Sequence, residues 1–266
     1  DYAPGEEGSE GQPLVIYNTA DYEILAEYDT FDEWLYTYLS YQLYPEDDLP
    51  AHISAASASY RQEIIAHIEK HLGPITATFR REDSDSPVDL LWLRPSANRP
   101  YHTLVTLGLS DRPMDIPDSV PQKTMGERAE LMIMLPPEWN ISPDNLNSEQ
   151  GYWPIAWLTM LADFARTPGN WLGTGYVFPN GDPMTEIADT PFSGVLVLPP
   201  FVSHPHEYYA FHSRDGTRLN LYALIPLYPG EIDLKSEQGL DVLLEHFDKT
   251  GINSEVVDIH RKDSSR

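Results

Sequence analysis

His102, Ser110 and Asp111 are the residue types of a nucleophilic triad, and they fall within one short stretch of the chain. A serine hydroxyl attacks when an imidazole within hydrogen-bond reach takes its proton and a carboxylate orients that imidazole. The stretch that holds them is Tyr101-His-Thr-Leu-Val-Thr-Leu-Gly-Leu-Ser-Asp-Arg-Pro-Met114. It reads as a β-branched and aliphatic strand over 103–109 that runs into a polar turn at Ser110-Asp111. Eight positions of straight strand put His102 and Ser110 roughly 26 Å apart, so a strand that stays straight does not assemble the triad. Gly108-Leu-Ser110-Asp-Arg112 also lacks the second glycine of a nucleophile elbow. A hydrolase is disfavoured.

Histidine chemistry has one other candidate, His204-Pro-His206 with His212 nearby. Two histidines at i and i+2 on a strand face the same way, as metal ligands must. The alternative is that Pro199-Pro200 to Pro205 forms a loop carrying exposed histidines. That reading is preferred, so no metal is assigned. Gly173-Thr-Gly175 is no phosphate loop, because the Gly-Lys-Ser/Thr that completes one is absent. Asn180-Gly-Asp-Pro183 is turn chemistry. With 42 acids, paired carboxylates occur throughout and carry no weight as glycosidase evidence. The chain has no cysteine, which removes disulfides, thiolate zinc sites and a cysteine nucleophile. No cofactor and no catalytic residue is expected.

The elements that position these residues follow from periodicity and turn signals. Tyr60, Ile64, Ile68 and Leu72 recur every four residues before Gly73-Pro74, a helix with Ser59 and Gln62 at capping-box spacing. Strands are predicted at 75–80, 88–93, 103–109 and 129–135, with links short enough to favour antiparallel neighbours. A helix is predicted from Trp153-Pro154, then strands at 192–198, 207–212 and 219–225. A last helix holds Leu240, Leu243, Leu244 and Phe247 and ends at Gly251. The expected fold is α/β in the α+β sense: one domain with a mixed, largely antiparallel sheet flanked by helices. Residues 1–13 are expected to be a disordered acidic arm. Residues 14–59 form an acidic, Tyr-rich extension, with a short strand at 14–17 and an apolar helix from Thr30 to about Tyr44. The domain proper spans 60–250, and 251–266 are a C-terminal tail.

Charge narrows the partner. The formal net charge is −25, and up to Tyr60 there are 13 acids and not one Lys or Arg. Such a field repels nucleic acid and attracts a basic protein, whose encounter it speeds. Glu46, Asp47 and Asp48 are candidate steering residues, and nine of the 16 tyrosines lie in the same stretch up to Tyr60. No run reaches the length of a membrane span. The chain shows no secretory signal pattern, and the reading is cytoplasmic.

Several blocks together resemble the suppressor of fused domain family. They are the helix before Gly73-Pro74, the 101–114 block with its Gly-Leu-Ser-Asp step, and Glu127-Arg-Ala-Glu-Leu-Met-Ile-Met-Leu-Pro136. Trp153-Pro-Ile-Ala-Trp-Leu158, Pro179-Asn-Gly-Asp-Pro183 and Ile225-Pro-Leu-Tyr228 complete the series. The similarity runs from about Tyr60 to Phe247 and is closest to the bacterial branch. The resemblance implies a non-catalytic protein-binding domain, and in that branch an immunity protein that neutralises a toxin. A regulator that sequesters a transcription factor is the alternative. It further implies that Asp111, matching the family's partner-contacting aspartate, belongs to the partner site; Ser110 and Tyr101 are expected there too, Tyr101 for apolar contact. This chain is short for the two-lobed clamp of the eukaryotic member.

Overall fold

The computed structural model describes residues 60–80, 88–120, 123, 125–200, 206–252 and 255–266, and the backbone of two N-terminal strands. These two, β1 (Leu14–Tyr17) and β2 (Ile24–Tyr28), pair antiparallel in a sheet of their own. The expected short strand at 14–17 is therefore present. The acidic arm 1–13, the helix expected from Thr30, and Glu46, Asp47 and Asp48 lie outside the described residues.

The domain begins with helix α1 (Arg61–Leu72), followed by β3 (Ala77–Phe79), β4 (Asp89–Leu93), β5 (His102–Leu107) and β6 (Arg128–Leu135). A short helical turn α2 (Pro143–Leu146) leads into the long helix α3 (Glu149–Arg166), then β7 (Val177–Pro179) and β8 (Gly194–Leu198). The chain closes with the turn α4 (His206–Tyr209), β9 (Ala210–His212), β10 (Arg218–Leu227), α5 (Pro229–Gln238) and α6 (Leu240–Thr250). Strands β3 to β10 make one open sheet in the order β3-β4-β5-β6-β10-β8-β7, with β9 also on β10. Every pairing is antiparallel except β6 with β10, so the sheet is mixed and largely antiparallel as expected.

Helices cover both faces, which is why the central strands are near-continuous apolar runs. Leu90, Trp92 and Leu104 pack on the side of α3, with Trp153, Trp157, Leu158 and Leu161. Leu91, Leu93 and Val105 pack on the side of α1, with Ile64, Ile68 and Leu72. A third cluster joins Leu196, Leu198, Ile225 and Leu227 to α5 and α6. Among the described residues no helix is long and apolar enough to cross a membrane.

Three local expectations are corrected. Helix α3 starts at Glu149, not at Trp153-Pro154, because Ser148 caps it: its Oγ accepts from the Gly151 amide at 3.0 Å. The expected strand 207–212 opens as a helical turn. That turn buries Tyr208 under α1, where the Tyr208 carbonyl accepts from His67 Nε2 at 2.7 Å. The cap position of α1 is Tyr60, with no side-chain cap bond; Ser59 lies outside the described residues. Residues 255–266 are docked as well. The Val257 amide bonds the Met134 carbonyl at 2.9 Å, and Arg261 places both Nη groups on the fully buried Glu231 at 2.6 Å.

Candidate functional site

The strand β5 stops at Leu107 because Gly108 turns left-handed, at φ +107°, and Leu109–Asp111 follow as one 3₁₀ turn. Glycine is required there twice over. The backbone angle excludes most side chains, and a Cβ would lie 2.2 Å from Nη2 of Arg61.

The turn is held from beneath by Glu130 of β6, a carboxylate only 1% exposed. One of its oxygens accepts from the Gly108 and Ser110 amides at 2.9 and 3.1 Å and from Ser110 Oγ at 2.6 Å. The other accepts from Thr106 Oγ1 at 2.6 Å and the Leu109 amide at 3.3 Å. These donors are neutral. Burial pushes the Glu130 carboxyl above its ordinary range, and the bonds donated by Ser110, Thr106 and the turn amides oppose that shift.

Arginines hold the outward side of the same turn. Arg166, the last residue of α3, donates to the Gly108 carbonyl at 2.8 Å. Arg128 donates to the Ser110 carbonyl at 2.6 Å and lies 5.1 Å from the Tyr60 ring centroid. Arg61 donates from Nε to Asp111 Oδ2 at 3.1 Å and from Nη1 to Asp89. Burial lowers the Arg61 pKa, but Asp89 and Asp111 outweigh it and the net direction is up. A Ser-Asp step after a strand can cap its turn through its own backbone, but among the described residues the Asp111 carboxylate bonds Arg61 and the turn amides go to Glu130. The second oxygen of Asp111, Oδ1, is buried and accepts no hydrogen bond among the described residues.

The triad residue types do not come together. His102 sits at the opposite end of β5, where its Nδ1 accepts from Trp92 Nε1 at 3.1 Å and its ring also bonds the Pro137 carbonyl. Both nitrogens are engaged by the neutral ring, and burial lowers its pKa. Ser110 is fully buried with its hydroxyl on Glu130, so it braces the turn from inside. Tyr101 is half-buried next to His102, with the Arg99 guanidinium 5.4 Å from its ring centroid, and so marks the other end of the strand from Asp111. Of the histidine candidates, His204 lies outside the described residues, His206 opens α4, and His212 is exposed at the end of β9. Among the described residues no three His, Asp or Glu are grouped to hold a metal ion.

Glu130, Arg61, Arg128 and Arg166 were not singled out from the sequence. One signal was available, a lone carboxylate inside the apolar run 129–135. Such a residue needs partners, and donors at the end of a neighbouring strand are the natural ones.

The architecture defines an open-sheet α+β domain whose most elaborately built feature is a Gly-Leu-Ser-Asp turn. A model of the suppressor of fused protein (SUFU) family matches residues 84–262, more than half of the chain, and the chain belongs to that family. Solved structures agree at the level of fold. A SUFU homolog from Neisseria gonorrhoeae FA 1090 superposes with a TM-score of 0.51 at 16% identity, over 77% of this chain and 96% of that one. A chain of the Sufu–Fu complex gives 0.52 at 13% identity, over 78% and 93%. Drosophila Suppressor of Fused gives 0.51 at 13% identity; this chain covers 52% of its length, and the match takes in 79% of this chain. No curated protein sequence matches the chain.

Proposed function

We propose that this chain is a non-catalytic protein-binding domain, acting in the cytoplasm as an immunity protein that neutralises a basic toxin. The observation that carries the binding role is membership of the SUFU family, together with a fold shared with a chain of the Sufu–Fu protein complex. Charge supports a basic partner: a net −25 speeds its encounter and disfavours an acidic one. Asp111 is the proposed anchor, supported by its place at the outward end of the turn, where its side chain is 21% exposed. Ser110 holds that turn in shape, and Tyr101 supplies apolar contact farther along β5. The partner adds backbone to an exposed sheet edge, for which β3 is suited. Among the described residues it is an end strand of the sheet, paired with β4 alone, whose first residue is Asp89. A regulatory role, sequestering a protein other than a toxin, is the second reading, favoured by the Fu partner in the related complex.

The test is co-expression with a basic toxin encoded beside this chain, with growth rescue and binding kinetics as readouts. The expected result is rescue, with an on-rate that falls as salt rises. Replacing Glu46, Asp47 and Asp48 by Gln and Asn should slow association and flatten that salt dependence while leaving the off-rate in place. Rescue with no complex formed, or a complex whose on-rate ignores both salt and these substitutions, overturns the steering and neutralisation reading.

A further inference from the structure

Four of the chain's 17 basic residues, Arg61, Arg112, Arg128 and Arg166, converge on the four residues of the 108–111 turn or follow it directly. In a chain of net charge −25 that concentration runs against the whole. Arg61 is matched by Asp89 and Asp111. The other three have no ion pair among the described residues. Arg166 and Arg128 each place one Nη1 on a turn carbonyl, at 2.8 and 2.6 Å, and remain partly exposed. Arg112 is exposed and directly follows Asp111. Glu130, the buried carboxylate beneath the turn, is taken up by neutral donors.

We infer that Arg112, Arg128 and Arg166 form an anion-accepting face beside the Gly108–Asp111 turn, and that this face takes a carboxylate side chain of the protein partner. The inference rests on the protein-binding reading above and refines it. Any partner that covers this turn strips water from the guanidiniums, and a charge buried without a counter-charge is strongly unfavourable. A uniformly basic surface would add like-charge repulsion to that cost. A partner that docks here therefore presents an acidic residue within its basic body. The face is open, with Arg112 exposed, so it suits a side chain on a protein surface better than an enclosed small anion. The two held guanidiniums are fixed by backbone carbonyls, so they present donors without first having to be ordered. Planar guanidinium forks match a carboxylate with paired N–H···O bonds.

The experiment uses the full chain and defined probes. Arginine Nε–H resonances are followed by ¹⁵N NMR during titration with acetyl-tetraglutamate amide, its tetralysine counterpart, and inorganic phosphate. The expected result is saturable shifts of Arg112, Arg128 and Arg166 with the glutamate peptide, none with the lysine peptide, and no movement of Arg261, which is committed to Glu231. Arg112→Gln, at an exposed residue whose side chain makes no hydrogen bond or ion pair among the described residues, should keep the melting temperature and weaken the glutamate peptide at least fivefold. Unmoved Arg112, Arg128 and Arg166 resonances, or unchanged peptide affinity in Arg112→Gln, overturn the proposal. Phosphate saturating the same resonances at lower concentration than the peptide overturns it too, by making the face a free-oxyanion site. Each of these results leaves toxin binding untouched, because that is read separately by rescue and kinetics.

Discussion

At its C-terminal end β5 runs into a turn gripped by the buried carboxylate of Glu130, whereas at its N-terminal end it starts beside a buried guanidinium, that of Arg99. Arg99 is 6% exposed and donates to the carbonyls of Leu72, Tyr101 and Arg94 and to Thr103 Oγ1. No carboxylate among the described residues bonds to it, and burial lowers its pKa. His102 beside it is bonded to Trp92 and Pro137, and burial lowers its pKa against the bond to the Pro137 carbonyl, which raises it. At one end, then, neutral acceptors hold a cation. At the other, neutral donors hold an anion, and a second layer of arginines and aspartates surrounds them. The first arrangement leaves no unmatched charge to offer a partner, because its polar groups are satisfied inward and only the half-buried Tyr101 ring remains for apolar contact. The second satisfies the turn's backbone and leaves charge on its outer side. The same strand thus carries an end closed to charge and an end equipped for charged recognition.

The largest expected effect breaks the second end. Glu130→Ala removes the acceptor of three backbone amides and two hydroxyls in a dry site. Each buried donor left unpaired costs about 1–3 kcal/mol. Partial relaxation and water entry recover some of that, so a loss of about 3–5 kcal/mol is expected, as for breaking other buried charged networks. Urea unfolding measures it directly. A loss below about 1 kcal/mol would mean that the turn holds its shape without Glu130, and the contrast between the two ends would go with it.

How much of this was readable in the sequence depends on where the partners of a residue come from. The strand pattern of 88–135 and the helix ending at Gly73 rest on local periodicity, and the structure has them within a few residues. Helix α5 is absent from the sequence reading, although Pro229 stands at its first turn, where proline is favoured. That preference of proline also draws the expected start of α3 to Trp153-Pro154, while the cap is Ser148, five residues before Trp153. The Gly-Leu-Ser-Asp step was visible, but what holds it was not. Glu130 lies 20 residues after Ser110, Arg61 lies 50 before Asp111, and Arg166 lies 58 after Gly108. Nothing local predicts which distant charges a turn will gather.

A smaller effect sharpens the comparison through pH, because the two ends respond to acid with opposite sign. The His102 pKa is lowered by burial in the folded state. Its contribution is therefore fully present above the unfolded pKa, about 6.5, and is lost as pH falls through the folded value. The Glu130 pKa is raised by burial. Its folded form binds the proton more tightly, so its contribution grows as pH falls toward the ordinary carboxylate pKa, about 4.3. His102→Gln keeps an acceptor for Trp92 and a donor for Pro137 but cannot titrate. The stability difference between the parent and His102→Gln should shrink on acidification below about pH 6.5. That between the parent and Glu130→Ala should widen as pH approaches the carboxylate range. Denaturant unfolding at matched pH values reads both slopes, and slopes of the same sign would show that the two ends are not electrostatically distinct.

The smallest expected effect on folding is at the residue proposed to matter most for binding. Asp111 and Arg61 have side chains 21% and 22% exposed, and Arg61 keeps Asp89 when Asp111 is removed. An ion pair partly open to water contributes about 0–1 kcal/mol, so Asp111→Ala should lower stability by less than about 1 kcal/mol. The turn itself persists, because Glu130, Arg128 and Arg166 hold its backbone without using the Asp111 carboxylate. Binding should behave differently. A charge anchor that a partner desolvates is felt mainly in dissociation, at about 2–5 kcal/mol when one side is truncated. Asp111→Ala should therefore leave the on-rate nearly unchanged and raise the off-rate by one to several orders of magnitude. An off-rate equal to that of the parent, in a variant whose melting curve is unchanged, would reduce Asp111 to a counter-ion for Arg61. The recognition end of β5 would then act through its arginines alone.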